Sequence, residues 1–287
     1  MFQQKERSKI AIAKLAVKKM KQLLFKFIAF TLTIYLGLIV ILFFTQRKLL
    51  YFPSNDLPTE EFLQAEGLQY WDVSENNYSG FISTEPQNNA RGTMIVFHGN
   101  ASTADHLDEY SRALTARGYR VLLAEYPGYA IRTGKPSESV FVADARRIVN
   151  LIHQEYGEPI YLWGESLGCG VVVATVADSS LPVAGIVLIN PWDSLANLAQ
   201  SIYWFVPVKA ILLDKFDSIN NLKTFKGKVA ILISEEDKVI PPRFGLNLYN
   251  SVRSDKQLWK FENAGHNSWP DGYQESWWQE VIDFISK

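Results

Sequence analysis

Gly164-Glu165-Ser166-Leu167-Gly168 joins an apolar, strand-like run (Pro159-Ile160-Tyr161-Leu162-Trp163) to a helix-like run from Val171 to Ala177. A serine on a sharp strand-to-helix turn is held in strained backbone geometry that lifts its Oγ above the sheet and leaves room only for small neighbours at the two glycine positions. The pattern is short and carries little weight alone. An unactivated serine is also a poor nucleophile. The chain must therefore supply a base, an orienting acid and donors for a developing oxyanion.

Downstream, Val229-Ala230-Ile231-Leu232-Ile233 reads as a buried parallel strand, and Ser234-Glu235-Glu236-Asp237 follows its end. Asp237 is the expected acid, with Asp193, after the preceding strand, as the competing position; Glu235 and Glu236 read as solvated. A further strand, Gln257 to Phe261, leads into Asn263-Ala264-Gly265-His266, which places His266 as the base on a loop. Upstream, Thr93 to Phe97 runs into His98-Gly99-Asn100-Ala101, a glycine-containing turn able to aim backbone N–H groups inward. The amides of Asn100 and Leu167 are the expected oxyanion hole.

Other stretches complete a pattern: Gln46-Arg47-Lys48-Leu49-Leu50-Tyr51-Phe52-Pro53, Tyr126-Pro127-Gly128-Tyr129, Gly134-Lys135-Pro136-Ser137-Glu138, Pro191-Trp192-Asp193-Ser194-Leu195, Ile240-Pro241 after Asp237, and Gly265-His266. With these in this order, the chain from about Leu50 to its C-terminus resembles the membrane-anchored branch of the α/β-hydrolases that includes lysophospholipases and protein depalmitoylases. The order serine, acid, histidine is the one found in α/β-hydrolases. The resemblance implies that the neighbours of His98 supply the oxyanion donors while its ring supports the loop. Two positions depart from the family pattern, Ser102 and Ala130, where glycine is usual.

The 287 residues fit one large α/β domain with a short appendage. Residues 1–48 hold ten Lys/Arg and one glutamate, which leaves the remainder at about −10 when the whole is −1. An acidic domain argues against nucleic acid as partner. Phe27 to Phe44 is an uncharged run just long enough for a transmembrane helix. The alternative is a cleaved signal peptide, against which stand the length of the run, the lack of an A-x-A-like site and the Arg47-Lys48 pair soon after. Lys14, Lys18, Lys19, Lys21 and Lys26 outweigh that pair, so residues 1–26 are expected in the cytoplasm, 27–44 in the membrane and a catalytic domain, 50–287, on the far side. Cys169 stands alone and forms no internal disulfide.

Leu68 to Val73 and Tyr78 to Ser83 read as a hairpin across Ser74-Glu75-Asn76-Asn77. Strand and helix patterns then alternate, with helices expected near Asp105 to Ala116, Ser137 to Tyr156, behind Ser166 and at Ser276 to Ile285, and a further strand at Ala184 to Asn190. Such alternation implies a mostly parallel sheet with helices on both faces; the resemblance implies that this is an α/β-hydrolase fold, and the stretch between Asn190 and Lys226 leaves room for a small lid or none. Leu195 to Leu213 is unusually apolar, fitting an acyl-pocket wall, a bilayer contact or an ordinary core-facing helix.

His106 and His153 read as surface residues and Cys169 as a small packed one. Gly168-Cys169-Gly170 imitates part of a dinucleotide fingerprint, but Val173 stands at the third glycine position, so no cofactor is implied; no ligand spacing for a metal occurs. The resulting expectation is a serine hydrolase of carboxylic esters or thioesters with lipid-like acyl groups, bound to the membrane by its N-terminal helix. A peptidase of the same fold and a non-catalytic tethered binding domain are the alternatives.

Overall fold

The computed structural model describes residues 2–73, 78–86, 89–157, 159–268 and 275–287, with side chains from residue 14 onward. The chain divides into two compact units, Met1–Gln46 and Arg47–Lys287.

Helix α1, Phe2–Leu50, runs through the first unit and into the start of the second. From Lys14 to Leu50 it contains an 18-residue window of mean hydropathy 2.6 with none of it buried, so it is long and apolar enough to cross a membrane. Its few polar side chains are satisfied internally. The hydroxyls of Thr31, Thr33 and Thr45 donate to the carbonyls of Phe27, Ala29 and Ile41 at 3.0, 2.9 and 2.8 Å, as hydrocarbon surroundings would demand. The helix is longer than the apolar run because both flanks are rich in Lys, Leu, Gln and Ala, which favour helix.

Among the described residues the second unit is built on eight strands: β1 Leu68–Trp71, β2 Gly80–Ser83, β3 Thr93–Phe97, β4 Arg120–Ala124, β5 Ile160–Glu165, β6 Val183–Ile189, β7 Lys228–Ser234 and β8 Lys256–Phe261. They lie in the order β1-β2-β4-β3-β5-β6-β7-β8. β1 and β2, and β2 and β4, pair antiparallel; the other neighbours are parallel. Every strand run named from the sequence falls in this sheet. Residues 74–77, expected as the first turn, lie outside the described residues.

The helices of this unit are α2 Glu60–Ala65, α3 Asp108–Thr115, α4 Glu138–Tyr156, α5 Leu167–Thr175, α6 Leu195–Ile202, α7 Val208–Ile211, α8 Ser218–Asn221, α9 Pro242–Ser251 and α10 Ser276–Ser286. Successive strand side chains point to opposite faces, which divides the core in two. Ile95, Phe97, Leu162 and Ile231 pack with residues of α4, α5 and α9. Met94, Val96, Trp163 and Leu232 pack with residues of α3 and α10. Strands covered on both sides read as continuous apolar runs, which is why they were visible in the sequence. α2 and α9 were not, since α2 buries Leu63 and α9 only Phe244, Gly245 and Leu248, too few for a clear helical period. The helix expected near Asp105 starts instead with a 3₁₀ turn, Ala104–Leu107.

Ala130, one of the two departures from the pattern of the family that the sequence resembles, sits at φ +47° and is tied by its N–H to the Ser54 carbonyl at 2.7 Å. An L side chain in this left-handed region costs roughly 1–2 kcal/mol, against roughly 0.4–1 kcal/mol of unfolded-chain entropy that alanine saves over glycine. Ala130→Gly is therefore expected to raise stability by about 0.5 kcal/mol. Denaturant unfolding checks this, and a drop in midpoint would contradict the strain.

Candidate active site

β5 ends and α5 begins with Ser166 between them, at φ +52° and ψ −111°. Helix α5 starts at Leu167, earlier than the helical run expected from Val171, so the serine is the residue immediately before the helix. Its neighbours leave no room for side chains. A Cβ on Gly164 would lie 2.5 Å from the Gly168 carbonyl carbon, and one on Gly168 would lie 2.1 Å from the Phe97 oxygen. The turn is pinned by Ser166 N–H donating to the Ile189 carbonyl at 3.0 Å.

The loops after β7 and β8 bring the other two groups to this serine. His266 Nε2 is 3.1 Å from Ser166 Oγ, and His266 Nδ1 is 2.6 Å from Asp237 Oδ2. A carboxylate only accepts, so Nδ1 carries the proton and Nε2 presents its lone pair to the serine hydroxyl. The second oxygen of Asp237 accepts the N–H groups of Val239 and Ile240, both at 2.8 Å. The Asp237 side chain is almost completely buried and that of His266 is 14 % exposed. Asp193 is buried elsewhere: it accepts the Ser194 N–H at 2.5 Å and faces the Asn247 amide at 3.4 Å. The structure thus sets Asp237, and not Asp193, against His266.

The two expected oxyanion donors lie beside the serine. Leu167 is the first residue of α5, where a backbone N–H has no intrahelical acceptor. A Cβ on Gly99 would be 3.7 Å from Ser166 Cβ, so the His98-Gly99-Asn100 loop passes directly over the nucleophile position. The Asn100 side chain is committed to structure. Its Nδ2 donates to the Leu50 carbonyl at 2.5 Å, and its Oδ1 accepts from Phe52 N–H at 3.2 Å and Tyr129 OH at 2.8 Å. Only the backbone amide of Asn100 is left to face the cavity as a donor.

Two positioning residues carried no signal of their own in the sequence. Glu125, at the end of β4, is buried and faces His98 Nε2 at 2.9 Å while accepting the N–H groups of Tyr126 and Ala104 at 2.9 and 3.0 Å. His98 Nδ1 meets the Gly99 carbonyl at 2.7 Å, so oxygens face both ring nitrogens and lock the loop. Asn190, at φ +50°, exchanges hydrogen bonds with Ser234 and lies 3.4 Å from the His266 carbonyl, tying the histidine loop to β6. The available hint was a polar residue ending an otherwise apolar strand.

A cavity of about 680 Å³ opens over the serine. Its lining combines apolar side chains, among them Leu50, Trp192, Leu195, Leu198, Val239 and Ile240, with the polar Ser102, His106, Glu109, Tyr110 and Glu165. Tyr110 OH donates to Glu165 at 3.0 Å. His106, expected only as a surface residue, is exposed but also lines this cavity. Cys169 is buried behind the elbow with its thiol turned to the Gly164 and Ile189 carbonyls, and burial pushes that thiol well above its usual range.

Residues 88–219 match the family model described as Serine aminopeptidase, S33 (Hydrolase_4). An uncharacterised protein of Mycobacterium tuberculosis is 29 % identical over 237 residues, covering 80 % of this chain and 84 % of that protein. Lysophosphatidylserine lipase ABHD12 of Xenopus tropicalis is 33 % identical over 185 residues, covering 58 % of this chain and 48 % of that protein. The chain thus spans about half the length of the latter. Among solved structures, the Pyrococcus furiosus esterase Pf2001 superposes with a TM-score of 0.65 at 17 % identity, over 82 % of this chain and 96 % of that one. The architecture is an α/β-hydrolase fold, and the family match and relatives mark the chain as a hydrolase.

If Asp237 orients His266, Asp237→Asn lowers kcat by roughly 10³- to 10⁴-fold through the wrong tautomer, and Asp193→Asn far less. Steady-state kinetics of both variants check the ranking, and the reverse order would assign the acid to the β6 loop.

Proposed function

We propose that this chain is a serine hydrolase of carboxylic esters or thioesters working through an acyl-enzyme. The observation that carries the reading is the unbroken line Ser166 Oγ, His266 Nε2, His266 Nδ1, Asp237 Oδ2 at 3.1 and 2.6 Å. Ser166 Oγ attacks the acyl carbonyl as its proton passes to His266 Nε2, and the resulting oxyanion is held by the Leu167 and Asn100 amides. His266 then returns the proton to the leaving alcohol or thiol as the C–O or C–S bond breaks. Water, deprotonated by the same nitrogen, releases the acid and frees Ser166. Asp237 keeps the ring in the reactive tautomer and offsets the charge it gains.

The mixed lining of the cavity fits an amphiphilic ester, with the acyl chain along Leu195, Leu198 and Trp192 and the polar part toward Ser102, His106 and Glu165. Among the described lining residues the polar ones include Glu109 and Glu165 and no lysine or arginine, which favours a neutral head group over an anionic one. In this the chain differs from what the name of its lysophosphatidylserine lipase relatives says of them. The family description, serine aminopeptidase, supports peptide cleavage as the second reading.

Ser166→Ala is expected to abolish hydrolysis of a short p-nitrophenyl ester, a loss of several orders of magnitude, with the fold intact. Activity within about tenfold of the parent would remove Ser166 from the mechanism. On the parent enzyme, a panel of monoacylglycerol, lysophosphatidylserine and an aminoacyl-p-nitroanilide is expected to rank in that order, and the reverse order would favour the peptidase reading.

We further infer that residues 27–44 anchor the chain, with 1–26 cytoplasmic and the catalytic domain from residue 50 on the other side. The exposed apolar helix and the basic excess before it support this. A protease confined to the non-cytoplasmic side should digest the catalytic domain and spare a tag before Met1; protection of the domain would reverse the topology.

A further inference from the structure

Four consecutive large side chains at the C-terminal end of α6 and just beyond it face water: Ile202, Tyr203, Trp204 and Phe205 are 53, 53, 79 and 49 % exposed. Scattered exposed apolar residues are ordinary, but a contiguous run of large ones marks a contact surface. We propose that this tip docks on a lipid bilayer and seats the mouth of the active-site cavity on the membrane surface, so that substrate enters from the lipid phase. The proposal rests on the hydrolase reading above and names where its substrate comes from.

Three observations favour lipid as the occupant. First, the tip is built rather than loose. Gln200 Nε2 donates to the Tyr203 and Val206 carbonyls at 3.3 and 2.9 Å, Tyr203 N–H donates to the Ala199 carbonyl at 2.8 Å, and Val206 N–H to the Tyr203 carbonyl at 3.0 Å. With much of its backbone engaged within the segment, it offers mainly side-chain surface, which suits a non-directional apolar medium better than a strand-adding peptide. Second, its composition is that of a membrane interface: Tyr203 and Trp204 carry an apolar body with a polar tip, and the cationic Lys209 and Arg243 lie nearby, with Arg243 Nη2 3.5 Å from Ser201 Oγ.

Third, the tip is continuous with both the cavity and the route of the chain. Leu198, one helical turn before Ile202, lines the cavity beside Ser166, and so does the exposed Val239. Leu50 lines the same cavity and follows the apolar run 27–44 by six residues. Even fully extended, six residues reach only about 20 Å. An anchored run therefore leads, within those six residues, to a side chain that lines the cavity.

The full chain reconstituted in phosphatidylcholine vesicles tests this, with an environment-sensitive fluorophore on Trp204→Cys or, as a control, on Ser180→Cys, which precedes β6 at the opposite end of the sheet. Native Cys169 is buried and does not compete for the label. The expected result is a blue-shifted emission quenched by shallow doxyl-labelled lipid at 204 and neither effect at 180. Combined Ile202→Ser, Trp204→Ser and Phe205→Ser is expected to lower hydrolysis of vesicle-borne monoacyl ester by about tenfold or more while short soluble ester turnover stays within about twofold. Emission at 204 that lipid quenchers leave unchanged overturns the proposal, as does a blue shift that follows protein density and so reports a second copy. In both cases intact short-ester hydrolysis would leave the hydrolase reading standing, whereas a parent inactive on every ester would remove that reading while the fluorescence still decides the docking.

Discussion

The geometry at the carboxyl ends of the strands depends on one residue held where side chains rarely go. Ser166, at φ +52°, carries backbone strain of about 1–3 kcal/mol. The sheet and helix on either side over-determine it. Its N–H is bound to β6, its carbonyl accepts the Cys169 N–H at 3.1 Å, and the bare faces of Gly164 and Gly168 let the turn close against β3. The same strain that raises Oγ out of the sheet leaves the first amide of α5 next to it. The position of the proposed nucleophile and of one proposed oxyanion donor thus follow from a single backbone feature.

Around that turn, buried carboxylates fasten the loops. Asp237 and Glu125 each accept two backbone N–H groups and one histidine nitrogen, so each fixes a loop and a ring together. A carboxylate suits this because its two oxygens accept several charge-assisted bonds at once. Asp214 does related work at the edge of the unit. Arg47 binds both its oxygens at 2.8 and 3.0 Å, while its Oδ1 also accepts the first N–H of α4 at 3.2 Å. Glu138 in turn accepts the N–H groups of Lys215 and Phe216, and burial raises its carboxyl above the usual range. Arg47, which reads in the sequence as a charge flanking the membrane run, is therefore spent on an ion pair inside the catalytic unit.

The sheet was legible because its central strands are buried on both faces and so appear as short apolar runs between turn signals. The serine and the acid were legible because each follows such a run, and the histidine because it follows the half-buried edge strand β8. Glu125 and Asn190 were not. Their partners lie 27 and 44 residues away, and only the folded sheet brings those strand ends together. The segment from Leu195 to Leu213 left three readings open, since an eight-residue helix is too short to show which side is wet. In the structure Leu195 and Leu198 are a cavity wall, while Ile202 to Phe205 are exposed. Ala130 shows the limit of pattern matching in the other direction: the departure from glycine leaves the turn in the left-handed region.

That Ser166 is activated by His266 and Asp237 is the claim on which the rest turns. Treating the full chain with a fluorophosphonate probe and mapping the adduct by peptide mass spectrometry tests it most directly, because only an activated serine reacts. The expected result is one adduct, on the peptide bearing Ser166, lost when His266 is replaced by alanine. No adduct, or an adduct on another serine with Ser166 unmodified, would contradict the account.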